Sequence, residues 1–166
     1  MKKQERKETA NKGFSLVELI VVVAIMAVLL VVLTPQYLRY VERTRLQKDN
    51  TAIGEIVQTI KIALADEETN ADTKSPLSLA FTGSGGAAQE LAISTALTSV
   101  DGSSEHLLAK ELAATLGNTY TTSSNTYKNS GAKLEIEVTV TGGIPTVKVK
   151  NWIDSVGGDP EDKNFN

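Results

Sequence analysis

Residues 14–33, FSLVELIVVVAIMAVLLVVL, form one apolar run near the N-terminus whose only polar members are Ser15 and Glu18. As a helix, a run of that length spans about 30 Å, the hydrocarbon thickness of a bilayer. A chain of 166 residues has no interior able to wrap such a helix on all sides. The run is therefore predicted to cross a membrane rather than to form a buried core helix. A secretory signal peptide is the nearest rival. Its apolar stretch is usually about 7–15 residues long and ends at a small-residue cleavage site. This run is longer, ends at Leu33-Thr34-Pro35 and contains a carboxylate.

Charge gives the orientation. Residues 1–13 hold Lys2, Lys3, Arg6, Lys7 and Lys12 against Glu5 and Glu8, a balance of +3, which leaves −6 for residues 14–166 and −3 overall. A basic leader stays on the cytosolic side, so everything after Leu33 is expected outside. An acidic body argues against non-specific binding of nucleic acid. There is no cysteine, so an exported body folds without disulfides. The single histidine, His106, has no second His or Cys to join it, and no metal or cofactor is expected. No glycine-rich phosphate loop and no nucleophile–base set is present, so the chain does not read as an enzyme.

Residues 36–65 continue as an amphipathic helix, with Leu46, Ile53, Val57, Ile60 and Leu64 on one stripe and Ile56 beside it. Arg39, Glu42, Arg43, Arg45, Lys48 and Asp49 read as a solvated stretch near the membrane. Pro35 removes a backbone donor and crowds the preceding turn, so a kink or local melting is expected there. The acidic run Asp66–Asp72 ends the helix. Beyond it, Gly83–Gly86 reads as a flexible loop and residues 87–98 as a helix. A further helix is expected over about 104–116, capped by Ser103 and stopped by Gly117, with Leu107, Leu108, Leu112 and Leu116 on its buried face. Asn-Thr-Tyr occurs at 118–120 and again at 125–127 and reads as two similar exposed strands or loops.

The β signal is clearest over 133–150. Leu134, Ile136, Val138 and Val140 alternate with polar residues, Gly142-Gly143 follows, and Val147 and Val149 alternate again. A two-residue glycine turn sets Val138 opposite Val147, Ile136 opposite Val149, Glu137 opposite Lys148 and Glu135 opposite Lys150. Pro145 suits an edge strand. The tail 154–166 holds Asp154, Asp159, Glu161 and Asp162. Their spacing matches no dedicated calcium loop, so the tail reads as solvated.

Lys12-Gly13-Phe14-Ser15-Leu16-Val17-Glu18-Leu19-Ile20 resembles the cleavage and methylation signature of type IV pilins and type II secretion pseudopilins. The likeness covers residues 12 to about 40, and Pro35 matches a proline common in that family's helix. It implies an α+β, pilin-like fold: a long N-terminal membrane-spanning helix packed on a small head with an antiparallel sheet. The expected divisions are a cleaved leader at 1–13, a membrane and filament-core helix at 14–35, its amphipathic continuation at 36–65 and a head at 66–166. The resemblance further implies cutting between Gly13 and Phe14 by a prepilin peptidase, which also methylates the new Phe14 amine. The disulfide that usually closes a C-terminal loop in the best-known Gram-negative pilins has no counterpart here.

A carboxylate within an apolar span is costly and is usually retained for a function. The resemblance suggests one for Glu18: in a filament it meets the Phe14 amine of a neighbouring subunit. Such a pair adds little stability but penalises wrong registers. The expected function is a structural subunit of a type IV pilus. The alternatives are a minor pilin or pseudopilin of a secretion or competence (DNA uptake) system, and a membrane-anchored adhesin or binding module that never polymerises. The expected partners are other copies of the chain, minor pilins, the prepilin peptidase/methyltransferase and a membrane assembly platform, with no direct nucleic acid. The expected location is the cytoplasmic membrane, crossed once, and then the cell-surface pilus.

Overall fold

The computed structural model describes residues 13–66, 77–83, 86–92, 107–117 and 119–165. Its elements are α1 (Leu16–Leu64), β1 (Leu77–Ala80), β2 (Glu90–Ala92), α2 (Leu107–Leu116), β3 (Thr119–Thr121), α3 (Asn125–Asn129), β4 (Glu135–Thr141), β5 (Ile144–Trp152) and β6 (Glu161–Phe165). The class is α+β, as expected: a long N-terminal helix and an antiparallel sheet. The chain divides into two compact units, Met1–Leu38 and Arg39–Asn166.

In the first unit, α1 is bare: every described side chain from Gly13 to Leu38 is exposed. The helix is unbroken at Pro35, so the expected local melting does not occur. Proline has no N–H for the Val31 carbonyl. One turn away, the Thr34 hydroxyl donates to the Leu30 carbonyl at 2.6 Å.

In the second unit, α1 turns the predicted stripe inward. Leu46, Ile53, Ile56, Val57, Ile60 and Leu64 are buried in one cluster with Leu77, Leu79, Ile136, Val138, Val147 and Val149 from the sheet. The sheet order is β1-β4-β5-β6, antiparallel throughout. The β4–β5 hairpin has the predicted register, with Ile136 opposite Val149, Val138 opposite Val147, Glu137 opposite Lys148 and Glu135 opposite Lys150. Gly142 and Gly143, at φ 61° and 79°, make the two-residue turn that only residues tolerant of positive φ adopt.

Two expectations about the sheet and tail are corrected. Pro145 lies in an inner strand, β5, not an edge strand. It pairs with Val140 at a position where its nitrogen faces away from β4, and β6 pairs only from Val147 onward, so no ladder bond is lost. The tail is largely solvent-exposed, as expected, but it is not a loose appendage: Glu161–Phe165 forms β6. Trp152 and Phe165 stack edge to face at 5.7 Å, and the Lys163 ammonium sits 4.5 Å from the Trp152 ring centre. Asn151, at φ 59°, forms a bulge before Trp152 and donates to the Lys133 carbonyl at 2.7 Å.

The middle of the chain also departs from expectation. Residues 90–92 are strand, not helix, because Leu91 is buried opposite Tyr120 of β3; residues 93–98 lie outside the described set. Gly83 and Gly86 have positive φ, whereas residues 84 and 85 of that predicted loop, like 67–72 of the acidic run, lie outside it. Helix α2 buries Leu108 and Leu112 and stops at Gly117, at φ 82°, as expected; Ser103 and the side chains of Leu107 and Leu116 are outside the described set. The two Asn-Thr-Tyr copies differ. The first contributes Thr119 and Tyr120 to a strand. The second opens helix α3, because Ser124 precedes it as an N-cap and accepts from the Thr126 N–H at 3.0 Å. Tyr127 is buried, not exposed.

The largest correction concerns α1 itself. Asp49 is wholly buried and Glu42 partly so, where a solvated stretch was expected. Asp49 Oδ1 accepts from the Tyr120 hydroxyl at 2.9 Å and the Ser123 hydroxyl at 2.9 Å, and its Oδ2 accepts from the Ser124 N–H at 2.7 Å. The Ser123 N–H lies 3.0 Å from both oxygens. Glu42 Oε1 accepts from the Ser124 hydroxyl, the Thr126 N–H and the Thr126 hydroxyl at 2.8, 2.7 and 3.0 Å. Asn50 adds a bond to the Ile153 carbonyl at 2.9 Å and accepts from the Tyr127 hydroxyl at 2.7 Å. The inward face of α1 thus sets Glu42, Asp49 and Asn50 around the apolar Leu46 and is apolar from Ile53 to Leu64, and its polar groups supply the acceptors that a loop and a short helix lack. A further buried amide, Gln89, donates to the carbonyls of Tyr127 and Ala132 and accepts from the Leu134 N–H, all at 2.8–2.9 Å.

Candidate functional site

The N-terminal end of α1 carries the residues singled out from sequence. Phe14 is 91% exposed. Ser15 is the residue before the helix, and its carbonyl accepts the first helical bond from the Leu19 N–H at 3.2 Å. Three residues on, Glu18 Oε2 accepts from the Ser15 N–H at 2.9 Å. Ser15-Leu16-Val17-Glu18 thus has the spacing of a capping box, with Glu18 making the return bond that satisfies an otherwise unpartnered helix N–H. The carboxylate also lies at the positive end of the helix dipole, where a negative charge is favoured. Sequence reasoning missed this local role for Glu18, although S-x-x-E before an apolar run is its signature.

Gly13 and Phe14 immediately precede this cap, and Pro35 lies much further along the same helix. A Cβ placed on Gly13 would meet nothing within 4 Å. From Leu19 to Leu33 the surface is apolar on all sides, and α1 contains one segment long and apolar enough to cross a membrane.

In the head, burial pushes the Glu42 carboxyl up, but bonds from the Ser124 hydroxyl, the Thr126 N–H and hydroxyl and the Asn125 N–H outweigh it and hold Glu42 below the ordinary value of 4.5. Two of the four tail carboxylates weighed for calcium have other partners: Asp154 takes Trp152 Nε1 at 2.5 Å and Lys163 at 3.3 Å, and Asp162 takes Lys148 at 2.7 Å. Among the described residues no three His, Cys, Asp or Glu side chains group to hold a metal ion.

Residues 9–34 match the prokaryotic N-terminal methylation motif. Two curated relatives, both type IV major fimbrial protein FimA of Dichelobacter nodosus, are similar: one is 33% identical over 65 residues, 39% of this chain and 42% of its own length. The other is 34% identical over 59 residues, 36% of this chain and 37% of its own. The chain thus spans about two-fifths of the length of the relatives it matches. No solved structure matches it.

Proposed function

We propose that this chain is a structural subunit of a type IV pilus, stored in the cytoplasmic membrane with its N-terminus in the cytosol and polymerised through α1 once its leader is removed. The observation that carries the reading is a methylation motif joined to a helix that the chain's own fold leaves uncovered from Phe14 to Leu38. Monomeric soluble proteins do not expose apolar surface on that scale. A bilayer covers it before assembly, and the helices of neighbouring copies cover it afterwards. Residues 66–166 then form the filament exterior.

The leader is residues 1–13. Cutting falls between Gly13 and Phe14, and the new Phe14 amine is methylated by the same peptidase. The fold makes no demand for glycine at position 13, so we ascribe it to the entry of an extended backbone into the peptidase. Glu18 has two successive duties in this scheme. Its cap bond to Ser15 orders the helix start in the monomer. In the filament its charge meets the Phe14 amine of a neighbour and fixes the axial offset, since a mismatched register would leave two unpaired charges in a dry core. Pro35 leaves one carbonyl of α1 without its helical donor, and we assign it as the point where the helix bends. Minor pilins and a membrane assembly platform complete the partner set.

The test is to shear surface filaments from cells and quantify this chain. As a major subunit it dominates the sheared material. Trace amounts there, with the bulk retained in the membrane, would instead indicate a minor pilin or pseudopilin.

A further inference from the structure

In sequence, residues 39–49 mix four cations with two carboxylates. The structure separates them. Glu42 and Asp49 turn inward and are occupied by donors from Tyr120, Ser123, Ser124 and Thr126. Arg39, Arg43, Arg45 and Lys48 all point to solvent. Among the described residues, none of the four makes an ion pair, although the other strong pairs of the head are formed. What remains outside is a basic collar on an otherwise acidic body.

We propose that this collar binds the anionic phosphate headgroups of the membrane leaflet from which the chain emerges, holding the stored subunit against the bilayer surface. The inference rests on the membrane-stored pilin reading given above. The tether favours lipid over other anions. Arg39 follows the last residue of the apolar run by six positions, which keeps it within roughly 20 Å of the membrane edge whatever path the backbone takes. Arg and Lys side chains reach back along their stems toward headgroups, and surface charge is felt over about 8 Å at physiological salt. Three of the four cations are arginines, whose planar fork pairs with phosphate through two hydrogen bonds. Tyr37 and Tyr40, both exposed, flank Arg39 in sequence and have the amphipathic character of a membrane-interface belt. Leaving the membrane for a filament then means exchanging phosphate contacts for contacts with other subunits, so anionic lipid opposes extraction.

The absence of cysteine allows a clean experiment on the full chain. Gln47, exposed between Arg43 and Lys48, is changed to Cys and labelled with a fluorophore. The protein is reconstituted into vesicles carrying a trace of quencher-bearing phosphatidylglycerol or quencher-bearing phosphatidylcholine. Expected is stronger quenching by the anionic lipid, with a preference of roughly 5-fold per engaged cation that collapses in high salt. In that background, the combined Arg39→Gln, Arg43→Gln, Arg45→Gln and Lys48→Gln variant should lose the preference, whereas replacing the three arginines by lysine should keep most of it. Equal quenching by the two lipids in an inserted protein overturns the inference and leaves the pilin reading standing. Failure to insert, seen as no quenching by either lipid, sinks both. If instead labelled copies transfer energy to one another, and the glutamine variant abolishes that transfer without changing lipid quenching, the collar serves a second copy and not the membrane.

Discussion

Replacing Asp49 by alanine should be among the most damaging single changes in the head. Its carboxylate is fully buried and receives the Tyr120 hydroxyl, the Ser123 N–H and hydroxyl, and the Ser124 N–H at 2.7–3.0 Å. Removing it leaves at least three of these donors unsatisfied. At the lower end of about 1–3 kcal/mol for each stranded group, the loss is roughly 3–5 kcal/mol. A domain of this size has about 5–15 kcal/mol in total, so the variant should be barely folded. Asp49→Asn should be milder, at about 2–3 kcal/mol, because one oxygen survives while the amide N–H₂ faces other donors. The assay is urea unfolding of the 36–166 fragment, followed by the fluorescence of its single tryptophan, Trp152, which is 6% exposed. Lys48→Ala, one residue away on the exposed face, serves as the control and should stay within about 0.5 kcal/mol. An Asp49→Ala midpoint no lower than that of Lys48→Ala would refute the reasoning.

Other outcomes follow from the same structure. Glu18→Ala should insert and be cleaved normally but fail to appear in sheared filaments. Glu18→Gln, which keeps a cap acceptor and loses the charge, should fail similarly; filaments from Glu18→Gln but not Glu18→Ala would assign the residue to capping alone. Phe165→Ala should cost about 1–2 kcal/mol by removing the ring stacked on Trp152 and should red-shift its emission; an unchanged spectrum would mean that β6 does not cover the indole. Stability of the 36–166 fragment should be flat near neutral pH and fall in acid. The bonds to Glu42 hold its folded value below 4.5, so its contribution is complete above that pH and is lost as pH drops through the lowered value. The Trp152 indole N–H and then Lys163 lower Asp154, and Lys148 lowers Asp162, so both act in the same direction, but weakly because they are exposed. Glu42→Gln should flatten the acid limb, and a Tm that rises on acidification would contradict the sign.

The legible parts of this chain were those where a single period or a single motif decided the answer. Glycines at the hairpin turn and agreement between apolar and charged cross-strand pairs left one register for β4 and β5, and the stripe on α1 gave its buried face. The illegible parts were decided by long-range partners. Asp49 looks like any solvated helix carboxylate until a segment more than seventy residues away brings N–H groups to it. Glu42 follows the same logic. Strand β6 has an acidic, glycine-flanked sequence and becomes a strand because Trp152 and Lys148 offer it partners. Strand β2 is three residues long, too short for alternation to outweigh helix propensity. At the N-terminus the motif was plain, yet the weight given to Glu18 as an assembly residue concealed the simpler capping bond that the S-x-x-E spacing already encoded.

The central claim is that this chain is cut at Gly13–Phe14 and polymerised through the helix thus exposed. Intact-mass measurement of the protein recovered from sheared filaments tests it most directly. The mass of residues 14–166 plus one methyl group, with the modification mapped to the Phe14 amine, is the predicted result. A mature chain that begins after Leu33, or an uncut chain in the filament, would contradict it.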